Sequence, residues 1–304
     1  MLKLNIKDET SRLKALVLGT AVSNGGVPAP EEAYDPKSLE HILAGTYPSE
    51  ADMVGEMEAF ARVFEKYDVK VYRPEVIAGY NQIFSRDIAF VIDDLFIRSN
   101  ILPRREKELK AIARVMEQIA PEKIITPPEE VHIEGGDVML WNDHIFVGTY
   151  KGEDYPDQIT ARTNMHGVQF LRALFPDRNV KEFDLVKSAT EARDNALHLD
   201  CCFQPVGKDR GIIYPGGFSD RDDYEYLVAL FGRENLFHIT REEMYHMYSN
   251  VFSIDTDVVV SERNFVRLNN WLRKQGFTVE EVPYAEISKQ EGLFRCSTMP
   301  LIRA

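Results

Sequence analysis

The chain holds little cysteine: Cys201, Cys202 and Cys296 are its only three in 304 residues. So sparse and odd a set argues against a disulfide framework, and a reducing, cytoplasmic setting is the default expectation. No apolar run approaches the roughly 18 residues that cross a bilayer. The opening residues, MLKLNIKDET, lack an apolar stretch, so no secretory leader is expected. Positive charge is in deficit: 36 Lys and Arg against 49 Asp and Glu give −13. Nucleic acid and anionic membrane surfaces are therefore poor partners, whereas a cationic substrate is compatible. Glycine-rich nucleotide and phosphate loops are missing, so no cofactor is expected. No CxxC, HxH or HExxH spacing occurs, so no metal is expected either. His238, Glu242, Glu243 and His246 cluster in sequence but read as a solvated surface. With no linker or low-complexity tract, one domain is expected over 1–304.

What is present is a rhythm. Met53, Met57, Phe60 and Phe64 fall on one face of a helix over 50–66. Segments 105–119 (Leu109, Ile112, Met116, Ile119), 160–175 (Val168, Leu171, Leu174), 221–231 (Tyr224, Leu227, Leu230) and 264–275 (Phe265, Leu268, Leu272) repeat the pattern. Gly276 stops the last one. Apolar strand-like runs lie between them: 15–18, 88–92, 95–98, 123–126, 138–141, 144–147, 211–214 and 257–260. Asp93-Asp94 and Asn142-Asp143 read as tight hairpin turns. The unit is strand, strand, helix, strand, repeated about five times. Units too small to bury their own faces should pack around one axis, giving a closed α/β domain of ββαβ repeats. An ordinary mixed α/β sandwich fits the periodicity equally well. Residues 20–49, with Asn24-Gly25-Gly26 and little periodicity, read as a lid loop or a floppy insertion.

Four segments concentrate catalytic residue types: Phe84-Ser85-Arg86-Asp87, His132-Ile133-Glu134-Gly135-Gly136-Asp137, His198-Leu199-Asp200, and Arg295-Cys296-Ser297-Thr298-Met299-Pro300. Singly each is weak. Asp87 suits a turn, the paired glycines a bulge, His198 a core position and Cys296 a small buried hydrophobe. Together, in this order, they resemble the guanidine-modifying superfamily. Its members include arginine deiminase, dimethylarginine dimethylaminohydrolase and glycine amidinotransferase. The resemblance covers residues 84–301. It implies the pentein fold, a five-fold pseudosymmetric α/β propeller. Arg104-Arg105-Glu106 and Ala161-Arg162-Thr163-Asn164 resemble two further stretches of the hydrolase branch. There the arginines matching Arg104 and Arg162 grip a substrate carboxylate, as planar guanidinium forks do well.

The resemblance implies a mechanism. Cys296 as thiolate attacks the guanidinium carbon, His198 is acid then base, and Glu134 orients His198. Asp87 and Asp200 hold the flat guanidinium. Asp200 is expected on the same strand face as His198, two residues away. Deiminases and amidinotransferases resemble this sequence in having that aspartate, where dimethylarginine hydrolases carry lysine. A dimethylated nitrogen offers no N–H to a second carboxylate, which would be left desolvated. The length leaves no room for the helical insertion of longer deiminases. The expected activity is hydrolysis of L-arginine or a close guanidino acid to a ureido product and ammonia. Amidino transfer to an amine, dimethylarginine hydrolysis, and a non-catalytic binding role on the same fold are the alternatives. A small guanidino substrate is the expected partner, and a homodimer stays open. Of Cys201 and Cys202, one thiol is expected in the core and one outward. Ser297 and Thr298 are expected either to line the site or to bond locally.

Overall fold

The computed structural model describes residues 1–304. The strands run β1 (Leu13–Leu18), β2 (Lys70–Tyr72), β3 (Ala89–Ile92), β4 (Leu95–Arg98), β5 (Ile124–Ile125), β6 (Val138–Trp141), β7 (His144–Thr149), β8 (Asn179–Asp184), β9 (Phe203–Val206), β10 (Arg210–Ile213), β11 (Leu236–His238), β12 (Phe252–Asp255), β13 (Val258–Glu262), β14 (Thr278–Val282) and β15 (Thr298–Arg303). They form five three-stranded sheets: β15-β1-β2, β3-β4-β5, β6-β7-β8, β9-β10-β11 and β12-β13-β14. Each has one antiparallel pair, and its third strand lies parallel to the middle one. A parallel neighbour needs a crossover, and helices supply it. These are α1 (Pro36–Leu43) and α2 (Glu50–Lys66) before β2, α3 (Glu106–Ala111) and α4 (Ala113–Met116) before β5, α5 (Met165–Leu174) before β8, and α6 (Arg221–Phe231) before β11. A short α7 (Arg241–Tyr245) precedes β12, and α8 (Val266–Lys274) precedes β14. The mixed α/β class and the ββαβ unit agree with the sequence rhythm. The first sheet joins the two halves of its unit from opposite ends of the chain, through β15 and β1.

The hairpin turns fall where the polar pairs predicted them. Asp93 and Asn142 adopt positive φ between β3 and β4 and between β6 and β7. Helix α2 has the predicted limits, with Ser49 capping its first turn. Helix α6 also has its predicted limits, Arg221–Phe231, and the others depart where local chemistry overrides periodicity. The expected helix over 160–175 begins only at Met165, because the Asn164 side chain accepts the Gly167 N–H and leaves Ala161–Thr163 outside the helix. The segment over 105–119 breaks at Ile112 into two pieces. Residues 20–49 are not wholly irregular. Asp35 caps α1 through the Ser38 N–H, with Pro36 at the first helical position, a start signal that the aperiodic reading passed over.

The core reaches the site through aromatic side chains. Phe60 on α2 packs edge-on against Phe252, Tyr284 and Phe294, with centroids 4.9–6.2 Å apart. Phe294 lies two residues before Cys296, so burial of this cluster fixes the approach to β15. Each such ring stabilises by about 1.5–3 kcal/mol through area alone. No helix is long and apolar enough to cross a membrane.

Candidate active site

Each sheet presents the residues just before one of its antiparallel strands to a common place. Asp87 stands two residues before β3, Glu134 four before β6, His198 and Asp200 before β9, Asn250 two before β12, and Cys296 two before β15. All six are buried. The five segments leave their strands as tight turns or short loops, so backbone hydrogen bonds run between them: Arg86 N–H to Cys296 C=O at 3.0 Å is one.

His198 Nε2 lies 2.8 Å from Glu134 Oε2, and its Nδ1 lies 3.8 Å from Asp87 Oδ1. Burial alone would lower the imidazole pKa, but Asp87, Glu134 and Asp137 outweigh it and raise it above its ordinary value. Burial would raise the Glu134 pKa, yet Arg162 and His198 hold it down to about 2. Glu134 is thus a carboxylate at neutral pH, and the carboxylates around His198 favour its imidazolium form. Gly136 permits the His198 position: a Cβ there would fall 2.7 Å from Cγ and Nδ1 of the ring. Asp137 completes the arrangement by accepting the Leu199 N–H at 2.9 Å.

Cys296 Sγ has Asp200 Oδ2 at 3.6 Å and receives the Asn250 Nδ2–H at 3.2 Å. Burial, then the charges of Asp200 and Asp87, push its thiol well above the usual range. The free thiol is therefore protonated at neutral pH. A cation placed between the two carboxylates would remove that opposition. Asp87 Oδ2 accepts from Arg105 at 2.8 Å, while its buried Oδ1 has no hydrogen-bond partner in the protein. Asp200 Oδ2 accepts from Arg295 at 2.9 Å.

Two arginines prominent here received no role from sequence. Arg105 forks onto Glu108 at 2.7 and 3.0 Å as well as onto Asp87. Arg295 is fully buried and joins Asp200 to Glu9 and to the carbonyls of Gly136 and Val138. Asn250 was missed altogether. Its available signal was position, two residues before a strand as Asp87 and Cys296 are.

Arg104 and Arg162, expected to share one carboxylate, are not brought together. Arg104 is exposed and donates to Glu31 C=O at 2.9 Å. Arg162 is buried and donates to Glu134 at 3.3 Å, Tyr34 C=O at 2.7 Å and Ile159 C=O at 3.0 Å. Both thus bond to residues 31–34 of the expected lid segment. The Tyr34 ring lies 5.9 Å from the Arg105 guanidinium carbon and 5.7 Å from that of Arg162. A cavity of 590 Å³ is lined by Tyr34, Asp35, Tyr80, Arg104, Arg105 and Glu108. Another of 400 Å³ is lined by Leu102, His132, Glu134, Tyr155 and Arg162.

Two expectations need correction. His198 and Asp200 do not share a strand face, because Leu199–Cys201 form a 3-10 turn that precedes β9. For the same reason the pleat does not separate Cys201 from Cys202, and both thiols are buried. Ser297 and Thr298 turn back to the carbonyls of Leu293, Phe294 and Arg295, so their hydroxyls bond locally. The cluster around His238–His246 is exposed or half-buried, and Glu242 and Glu243 pair with Arg193 and Arg267. Asp87, Glu134 and His198 place ligand atoms within 4.8 Å of one another, a spacing that suits a metal. Arg105 and Arg162 already balance those carboxylates, and His198 Nε2 is already engaged by Glu134 at 2.8 Å.

Comparison with known proteins follows the same line. A family model described as N,N dimethylarginine dimethylhydrolase, eukaryotic, matches residues 47–303. YkgA of Bacillus subtilis is 29% identical over 225 residues, which cover 73% of this chain and 70% of YkgA. The arginine deiminase of Pediococcus pentosaceus is 26% identical over 207 residues, 57% of this chain and 47% of that protein, so the match spans just under half its length. Among solved structures, an inosamine-phosphate amidinotransferase from Streptomyces griseus superposes with a TM-score of 0.77. The superposition covers 100% of this chain and 98% of that one at 16% identity, a likeness of fold.

Proposed function

Since the chain belongs to the N,N dimethylarginine dimethylhydrolase family, within the superfamily of enzymes that act on guanidino groups, we propose that it hydrolyses the guanidinium of L-arginine or a close guanidino acid to a ureido product and ammonia. One observation carries this reading: Cys296 is flanked by two buried carboxylates, one with an unpartnered oxygen. A desolvated carboxylate oxygen without a donor is costly, and a flat cation with N–H groups on both distal nitrogens satisfies it.

The steps then follow from the groups present. The bound guanidinium offsets Asp87 and Asp200, and the Cys296 proton leaves to solvent. The thiolate forms an S–C bond to the guanidinium carbon. The His198 imidazolium protonates one amino nitrogen, the C–N bond breaks and ammonia departs. A thiouronium cation remains on Cys296. Neutral His198 takes a proton from water as its oxygen bonds the same carbon. The C–S bond breaks, thiolate is restored, and the product sheds a proton to become the ureido compound. Glu134 favours the imidazolium needed for the first transfer, and Arg162 fixes Glu134.

Arg104 and Arg162 are the proposed partners of a substrate carboxylate. In that role they exchange their bonds to Glu31 and Tyr34 for the ligand, and residues 20–49 act as the cover of the site. A five-fold propeller within one catalytic domain accounts for five strand-start segments meeting at one place. Dimethylarginine is the second reading, favoured by the family match over residues 47–303. Mass spectrometry of products discriminates. Citrulline and ammonia from L-arginine without an added amine support the proposal. Dimethylamine release from dimethylarginine, with arginine untouched, favours the second reading. Ornithine formed only when an acceptor amine is present shows amidino transfer and refutes hydrolysis.

A further inference from the structure

Asn250 occupies the strand-start position before β12 and is fully buried. Its side chain meets Cys296 twice: Nδ2–H points at Sγ, 3.2 Å away, and Oδ1 accepts the Cys296 N–H at 3.2 Å. The same Nδ2 lies 3.4 Å from Asp200 C=O, which also accepts from Ser249 Oγ at 2.8 Å. The amide is therefore fixed against both the nucleophile and the residue beside it, with no freedom to rotate away.

We propose that Asn250 is a catalytic residue: its amide N–H is the side-chain donor that stabilises the Cys296 thiolate and holds Sγ for attack. The inference rests on the assignment of Cys296 as nucleophile. The other groups facing the sulfur are Asp200 and Asp87, whose charges oppose ionisation, the Leu293 backbone, which hydrogen-bonds the sulfur and favours the thiolate, and the buried, protonated Cys201 and Tyr284. Asn250 is the one side chain there that offers an N–H to sulfur while adding no charge. A neutral donor suits this place. A protein cation beside Sγ would compete with the guanidinium for Asp87 and Asp200, whereas an amide favours the thiolate and leaves both carboxylates to the substrate.

Asn250→Asp separates this role from a structural one. It keeps the shape and an oxygen for the Cys296 N–H, and replaces the donor with an acceptor. The measurement is the pH dependence of Cys296 alkylation by iodoacetamide without substrate, read on the Cys296 peptide by mass spectrometry, together with kcat and KM. The midpoint is expected to rise by about one pH unit or more, with kcat lowered about 10- to 100-fold and KM little changed. Asn250→Ala, which loses donor and acceptor together without adding charge, is the second variant, and a shift in the same direction there assigns the effect to the lost donor rather than to the added carboxylate. An unmoved alkylation profile in a folded variant overturns the proposal, whatever happens to turnover. So does a moved profile with undiminished kcat. A shifted profile in a protein that turns over no guanidine sustains Asn250 as the thiol's donor and removes the function proposed above.

Discussion

Two sets of ion pairs use the same residue types at similar distances. Around Cys296, Arg105 joins Asp87 to Glu108, Arg295 joins Asp200 to Glu9, and Arg162 meets Glu134, all with side chains at most 6% exposed. On the surface, Arg193 pairs with Glu242, Arg241 with Asp194 and Arg267 with Glu243, with several partners about half exposed. Water screens the second set, and each pair there stabilises little. The first set has no water to fall back on, so its members act as a unit, and losing one partner strands another charge. Such pairs are weak evidence for stability. Their use is to hold two carboxylates in place beside a thiol.

The sharpest break falls on recognition. Asp200→Asn keeps the shape but weakens both the Arg295 pair and the second carboxylate wall. Its kcat/KM on arginine is expected to fall by about 10²- to 10⁴-fold, the scale of an unmatched buried polar group. Unchanged steady-state kinetics would remove Asp200 from the site. Next is Arg105→Met, which leaves Asp87 and Glu108 buried without their cation. A loss of about 3–5 kcal/mol in urea denaturation is expected.

The Glu134–His198 pair adds a pH signature. Glu134, held near 2 against an ordinary 4.5, contributes stability above pH 4.5 that is lost as pH falls toward 2. His198, raised above 6.5, contributes stability that is complete below 6.5 and lost as pH rises through its folded value. Glu134→Gln should therefore carry its largest penalty between these limits and a smaller one in acid. A penalty flat from pH 3 to 9 would show that charge is not the cause. Smallest of all, Arg193→Ala on the surface should cost about 1 kcal/mol or less, and less still in high salt.

The contrast also explains what was legible in the sequence. Period and turn chemistry are local, so α2, α6 and the two hairpin turns could be read directly. Cys296, His198, Glu134, Asp87 and Asp200 were legible because four segments of unusual composition stand in a familiar order, and the structure brings all five together. Arg295 and Arg105 stood inside quoted segments yet took no role, since their partners lie 286 and 18 residues away. Asn250 sits in a segment of ordinary composition, and only the register of its strand gives it away. Arg104 and Arg162 lie in two clear segments, yet their side chains bond separately, to Glu31 C=O and to Tyr34 C=O.

The most direct test of Cys296 as covalent nucleophile is acid quench of the enzyme during turnover of L-arginine, followed by peptide mass spectrometry. An adduct of arginine less ammonia on the Cys296 peptide, absent from Cys296→Ser, is the predicted result. Turnover with an unmodified Cys296 at every quench time, and activity retained in Cys296→Ser, would contradict it.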